Sequence, residues 1–318
     1  VNVFNEPVRL DRRVFLRTAA GACMSQALSP IFAAAHSSPL RLGLVVWIHP
    51  GQSVAEAIQG VRALGLSTCQ VGFEELTLDV AAPLKEALAQ HGVEATAFSE
   101  HGPGTRIFDF YHGPGTIGIV PPETRKARVR NLKLAADIAL ACGIPAIHTH
   151  CGFIPEDPND PLYAGTVNAM KEITSYCKEQ GRSFLCETGE ETPVTLRRMI
   201  EDVGLDNLFV NLDLANLILY GKGNPVDAMD VLGPLVRGLH AKDGVFPTDT
   251  KDLGKEVVMG TGRVDFPAVF QRLKRMNYKG PVTIEHETAG PGHQQEILRS
   301  KIFLEEVIGK TYSPSTTA

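Results

Sequence analysis

Four residues in the C-terminal half of the sequence have the chemistry of metal ligands, and each closes a short apolar run. Glu187 ends Ser183-Phe-Leu-Cys-Glu187 and Asp213 ends Leu208-Phe-Val-Asn-Leu-Asp213. His240 ends Val236-Arg-Gly-Leu-His240, and Glu285 ends Pro281-Val-Thr-Ile-Glu285. Three carboxylates and one imidazole suit Mn2+, Mg2+ or Co2+ better than zinc, which more often takes nitrogen and sulfur. The expected cofactor is therefore one divalent metal ion. A metal holding two neighbouring oxygens of a hydroxy-ketone stabilises an enediolate, with Glu187 and Glu285 placed to flank the sugar as proton-transfer groups. Proton return to the neighbouring carbon isomerises the sugar, and return to the opposite face epimerises it. Expulsion of a β-leaving group makes the enzyme a lyase or dehydratase.

Such convergence needs a fold that brings four strand ends to one rim. From Leu40 the chain alternates between short apolar runs and longer amphipathic stretches. Strands are predicted over 41–48, 68–73, 93–98 and 144–149, then over the four runs above. The helices between them begin at capping or proline signals such as Ser53, Pro121-Pro122 and Pro193. Several end at glycine, as at Gly92, Gly143 and Gly181. Two long loops are expected, 101–121 and 243–264, and loops of that length are commonly functional. Eight alternations without a composition break predict an α/β fold, a single (β/α)8 TIM barrel over residues 40–310, with a polar tail at 311–318. Active sites of such barrels lie at the C-terminal ends of the strands, where the quartet falls.

The quartet and its neighbours resemble the xylose isomerase-like TIM barrels. This sugar isomerase/epimerase superfamily includes tagatose and psicose epimerases, inosose dehydratase and endonuclease IV. The matching stretches are Glu187 after the fifth strand, Asp213-Leu-Ala-Asn216-Leu, His240-Ala-Lys-Asp-Gly244, Gly260-Thr-Gly-Arg-Val-Asp265 and Ile284-Glu285-His-Glu287. They span roughly residues 183–290, and the strand rhythm extends the likeness to about residue 40. The resemblance implies that Glu187, Asp213, His240 and Glu285 bind the metal, with Glu187 and Glu285 as the acid/base pair. The chain departs from the ketose 3-epimerase pattern at Asn216, where those enzymes carry a substrate-binding histidine. It also lacks an obvious counterpart of the arginine that follows their strand-seven histidine.

Further rim residues are candidates for holding substrate. His150 follows the fourth strand, and Trp47 stands at the end of the first, where it could face a sugar ring. Lys242 and Asp243 either contact substrate or pair with each other. Arg263 sits in a glycine-flanked loop, able to reach an anionic group or brace the rim. Glu74, Glu75 and Glu100 read as solvated or capping residues.

The sequence totals narrow the function further. The 318 residues carry a net charge of −5, with 43% hydrophobic and 21% charged residues. Mean hydropathy is −0.02. Residues 1–35 read as a twin-arginine export signal: Arg12-Arg13, then a weakly apolar Ala/Gly-rich stretch, then a cleavage site near Ala35. That segment holds Arg9, Arg12, Arg13 and Arg17 against Glu6 and Asp11, so its removal makes the rest more acidic. The expected location is periplasmic, with the twin-arginine export machinery as a partner. An acidic body without a basic cluster argues against nucleic acid and so against an endonuclease IV-like activity. A non-catalytic carbohydrate-binding barrel is a further reading. No glycine-rich phosphate cradle is present, which favours an unphosphorylated sugar, keto-sugar or 3-keto-glycoside. No apolar run is long enough for a membrane span, and a homo-oligomer is compatible with the sequence. The cysteines that remain, Cys69, Cys142, Cys151, Cys177 and Cys186, lack CxxC spacing and are expected as free thiols.

Overall fold

A computed structural model describes residues 40–313 except Ala289. The proposed export signal and residues 314–318 lie outside the described residues. Eight parallel strands close into a barrel. They are β1 (Arg41–Ile48), β2 (Thr68–Phe73), β3 (Glu94–Ser99), β4 (Ala146–His150), β5 (Ser183–Glu187), β6 (Leu208–Asp213), β7 (Val236–Ala241) and, last in the chain, β10 (Pro281–Ile284). β10 closes the barrel between β1 and β7. The single TIM barrel expected from the alternation is the observed fold.

The outer layer is helical, with the apolar stripe of each helix turned toward the strands. In α6 (Pro193–Val203), Leu196, Met199, Ile200 and Val203 are buried, three or four residues apart. Thr192 caps that helix through its hydroxyl, which accepts from the Thr195 N–H at 3.3 Å, and Gly204 ends it at φ 67°. No described helix is long and apolar enough to cross a membrane. The closing helix α10 (His293–Tyr312) runs past its expected end and takes in Thr311 and Tyr312, two residues assigned above to the polar tail. The cause is a buried face, including Ile297, Leu304, Val307 and Ile308, which anchors the whole helix. β4 likewise ends one residue later than expected, so His150 is its last residue rather than part of the following loop.

Both long loops carry structure. Residues 101–121 contain the short helix α3 (Gly113–Thr116) and wrap the side chain of Arg128. This arginine is wholly buried and donates to the carbonyls of Pro103 (3.1 Å), Thr105 (3.2 Å), Thr116 (2.7 Å) and Gly118 (2.6 Å). Residues 243–264 fold into the antiparallel hairpin of β8 (Asp243–Val245) and β9 (Lys255–Val257). The Phe110 N–H donates to the Lys251 carbonyl at 3.0 Å, which ties the two loops together above the barrel mouth.

Candidate metal centre

Strand register assembles the site. Pairing of β4 with β5 sets His150 beside Glu187, and pairing of β6 with β7 sets Asp213 beside His240. Glu285 follows β10 directly, and its N–H donates to the Ala241 carbonyl. His240 Nδ1 consequently lies 3.1 Å from Glu187 Oε1, 3.4 Å from Glu285 Oε2 and 3.6 Å from Asp213 Oδ2. One ligand atom from each of the four residues falls within 4.8 Å of the others.

Surrounding hydrogen bonds aim these atoms. His240 Nε2–H donates to Gln70 Oε1 at 2.8 Å, which turns Nδ1 toward the carboxylates. The Gln70 amide is itself fixed, since Nε2 donates to Asn211 Oδ1 at 2.9 Å. A Cβ on Gly238 would lie 2.2 Å from that Asn211 oxygen, so glycine keeps the chain of contacts open. Asp213 Oδ1 accepts from the N–H groups of Ala215 (2.8 Å) and Asn216 (2.6 Å). Its Oδ2 is buried without an aligned hydrogen bond and points at the centre, with Lys242 Nζ at 3.5 Å and His240 Nδ1 at 3.6 Å as its ionic neighbours. What suits this centre to a metal ion is the closeness of its four ligand atoms, with the Lys242 ammonium at its edge. The residues therefore fit a divalent ion, with three oxygens and one imidazole nitrogen as the donor set.

The electrostatics agree. Burial pushes Asp213 up to about 6, with the Lys242 ammonium working the other way. Burial opposes a charged imidazole at His240, yet Glu285 and Glu187 outweigh it and hold the ring well above its ordinary range. Burial also opposes ionisation of Glu187, but His150, His240 and His148 together hold it well below the usual carboxylate range.

A cavity of about 580 Å3 opens above the centre, lined in part by Trp47, His101, His150, Glu285 and Glu287. Of the quartet, only Glu285 reaches this wall; Glu187, Asp213 and His240 lie beneath it. A larger cleft of about 750 Å3, lined by Arg237, Arg272 and Tyr278, lies at the opposite end of the barrel and contains none of the four.

The remaining candidates separate into those at the cavity and those away from it. Trp47 and His150 line it. His150 Nε2 is 3.4 Å from Glu187 Oε2, and its Nδ1 is 2.9 Å from Glu190 Oε1, though not aligned for a hydrogen bond. Asn216 Nδ2 donates to Glu187 Oε1 at 3.2 Å and so orients a member of the quartet. Lys242 and Asp243 do not pair with each other. The buried Lys242 Nζ lies 2.6 Å from Glu285 Oε2, 3.5 Å from Asp213 Oδ2 and 3.3 Å from Glu287 Oε1. Asp243 gives both oxygens to backbone N–H groups, those of Gly244, Gly260, Gly262 and Val264, at 2.8–3.1 Å. Arg263 is exposed and off the cavity wall. Glu100 is not solvated: it is buried, accepts the Gly102 N–H at 2.6 Å, and burial pushes it up to about 7. Glu74 lines the cavity. All five described cysteines are free thiols, and four of them are buried.

Three residues of the site escaped the sequence reading. His148 Nε2–H donates to Glu187 Oε2 at 2.5 Å, and its Nδ1 meets the Ser99 hydroxyl at 2.8 Å. The signal was available, because His148 stands two residues before His150 on one strand and so shares its face. Gln70 lies mid-strand within an apolar run, and His101 lies in a loop; neither carries a spacing signal.

A profile of the xylose isomerase-like TIM barrel family matches residues 58–306. The chain belongs to that family. The xylose isomerase domain protein from Planctomyces limnophilus is a similar structure at 30% identity and TM-score 0.78, covering 85% of this chain and 99% of its own. A D-psicose 3-epimerase solved in the presence of D-fructose shares the fold at 17% identity and TM-score 0.64, over 85% and 100% of the two chains. A xylose isomerase-like TIM barrel protein from Mycobacterium smegmatis, in complex with magnesium, does so at 17% and 0.63, over 87% and 99%. Among curated relatives, the uncharacterized protein MJ1311 of Methanocaldococcus jannaschii is 22% identical over 197 residues, 58% of this chain and 63% of its own. The L-ribulose 3-epimerase of a Methylomonas species is 24% identical over 170 residues, 48% and 54% respectively. The chain thus spans less than two thirds of either curated relative.

Proposed function

We propose that the protein is a divalent-metal-dependent sugar isomerase/epimerase acting on an unphosphorylated sugar or keto-sugar after export to the periplasm. The observation that carries this reading is the meeting of ligand atoms from Glu187, Asp213, His240 and Glu285 within 4.8 Å of one another beneath a cavity. The epimerase relatives support the carbohydrate substrate, and the magnesium complex of a fold neighbour supports the metal. Mn2+, Mg2+ or Co2+ suits the donors. When bound, such an ion stabilises negative charge developing on neighbouring substrate oxygens.

The chain's own residues manage the proton. Glu285 stands at the cavity wall with Oε2 held by Lys242, which leaves Oε1 to take a proton from the carbon beside the substrate carbonyl. Glu187 is the second proton-transfer group, kept ionised by its imidazole neighbours and oriented by His148 and Asn216. His150 stands between Glu187 and the cavity and offers a contact to a substrate hydroxyl. Turnover of a ketose and keto-sugar panel in D2O, followed by NMR, tests the proposal. Deuterium at a retained carbon is expected. Loss of a substituent instead would make the enzyme a lyase, and a protein that binds no divalent ion would overturn the reading.

A further inference from the structure

The cavity is larger than a single sugar ring needs, and its wall has two chemistries. At about 580 Å3 it lies in the middle of the roughly 300–1,000 Å3 range of sites that enclose drug-sized ligands, which are molecules of several rings. The inner part presents Glu285, Glu287 and His150. The outer part presents Trp47 and Phe108, with His49 and Glu74 as polar groups between strand ends. An aromatic wall joins the two parts. Trp47 and His101 stack at 4.6 Å and 21°, His101 lies 5.4 Å from His150, and Phe108 meets His150 edge-on at 6.0 Å.

This wall is held in place without a ligand. A Cβ on Gly72 would sit 2.5 Å from the Trp47 ring, so glycine there leaves room for the indole at the barrel end. Phe108 rides on the loop that Arg128 fastens through four carbonyls. Phe108 is nevertheless 47% exposed, an apolar surface left open at the mouth of a polar site. Arg106 is the one Lys or Arg on the described wall, against the carboxylates of Glu74, Glu285 and Glu287. That balance disfavours an anionic group in the outer part.

We infer that the cavity is built for a neutral two-ring sugar, a glycoside whose reacting ring lies at Glu285 and whose second ring rests on the Trp47–Phe108 wall. Aromatic faces take up the apolar C–H face of a pyranose, while His49 and Glu74 serve its hydroxyls. The inference rests on the sugar chemistry proposed above and sharpens it from sugars in general to glycosides.

Trp47 is the only tryptophan of the sequence, so its fluorescence reports directly on the outer part of the cavity whether or not the ligand reacts. The metal-loaded protein would be titrated with glucose and with cellobiose, maltose and trehalose, three disaccharides of different linkage. At least one disaccharide is expected to change the emission and saturate with an affinity about tenfold or more above that of glucose. In Phe108→Ala, whose exposed site spares the fold, that preference should disappear while Trp47 still reports. The inference is overturned if no disaccharide binds more tightly than glucose, or if Phe108→Ala keeps the preference. It is also overturned if that variant changes the oligomeric state instead, because the wall would then be a contact between copies. Disaccharide binding without deuterium exchange on any sugar would uphold the two-ring site and overturn the isomerase/epimerase reading, so the two failures are distinct.

Discussion

The two halves of the barrel rim are built from different materials. β5, β6, β7 and β10 lead into Glu187, Asp213, His240 and Glu285, whose charges converge at one point. β1, β2 and β3 lead instead to Trp47, Phe73 and Ser99, with His101 just beyond, and contribute rings and glycine clearance. The first half concentrates electrostatic free energy where burial makes it strong. The second offers surface against which a substrate is oriented. On the proposed reading, chemistry and recognition fall on opposite sides of one cavity, and substitutions should separate them.

The largest effect is expected on the charged side. Glu285→Gln and Glu187→Gln should each lower kcat by about 10^2–10^4, the usual contribution of a positioned acid or base. Turnover at the wild-type rate in either variant would remove that residue from the proton-transfer step. Next comes the anchor beneath the aromatic side. Arg128→Met should cost about 3 kcal/mol in urea unfolding, because four carbonyls lose a buried charged donor. A variant as stable as wild type would show that the 101–121 loop holds itself.

Metal loading ranks third. A divalent ion at a hundredfold excess over its Kd should add about 2.7 kcal/mol, and chelation should lower Tm by several degrees. Asp213→Asn should abolish that difference, and a Tm indifferent to chelator would refute the centre. A smaller effect concerns pH. Asp213 is raised in the folded state to about 6 from 3.8, so its ionised form opposes folding of the metal-free protein above that value. Acidification from about pH 6 toward 4 should recover its contribution, and should weaken metal binding as protons compete for the ligands. Calorimetry across this window reads both slopes, and a metal affinity independent of pH would contradict the ligand assignment. Smallest of all, Arg263→Ala should change stability by less than about 0.5 kcal/mol and leave turnover intact, as expected of an exposed side chain off the cavity.

The fold and the quartet were legible because both rest on patterns the sequence states directly. Apolar runs of strand length give the eight strands, and an ionisable residue closing each of the last four gives the candidate ligands that the structure brings together. What surrounds the quartet was less legible, since it depends on which residues meet across the barrel. Gln70 and Asn211 are 141 positions apart, and only closure of the sheet joins them. Lys242 and Asp243 are adjacent in sequence, yet they face different tasks because consecutive strand residues point to opposite sides. Nothing local distinguishes the one that reaches Glu285 from the one that binds backbone.

Asp243 has a further consequence for the evolution and engineering of this rim. Its two oxygens clasp N–H groups at both ends of residues 244–264, so the hairpin is closed at its base, while Lys251 and Gly254 tie its far side to Phe110 and Leu219. Residues 246–250 lie between the clasp and those ties, so lengthening or exchange there should reach the clasp before it reaches β7, one residue away. The candidate metal ligand His240 on that strand is thereby set apart from change at the hairpin tip. A library confined to 246–250 would vary this part of the rim while the centre stays fixed.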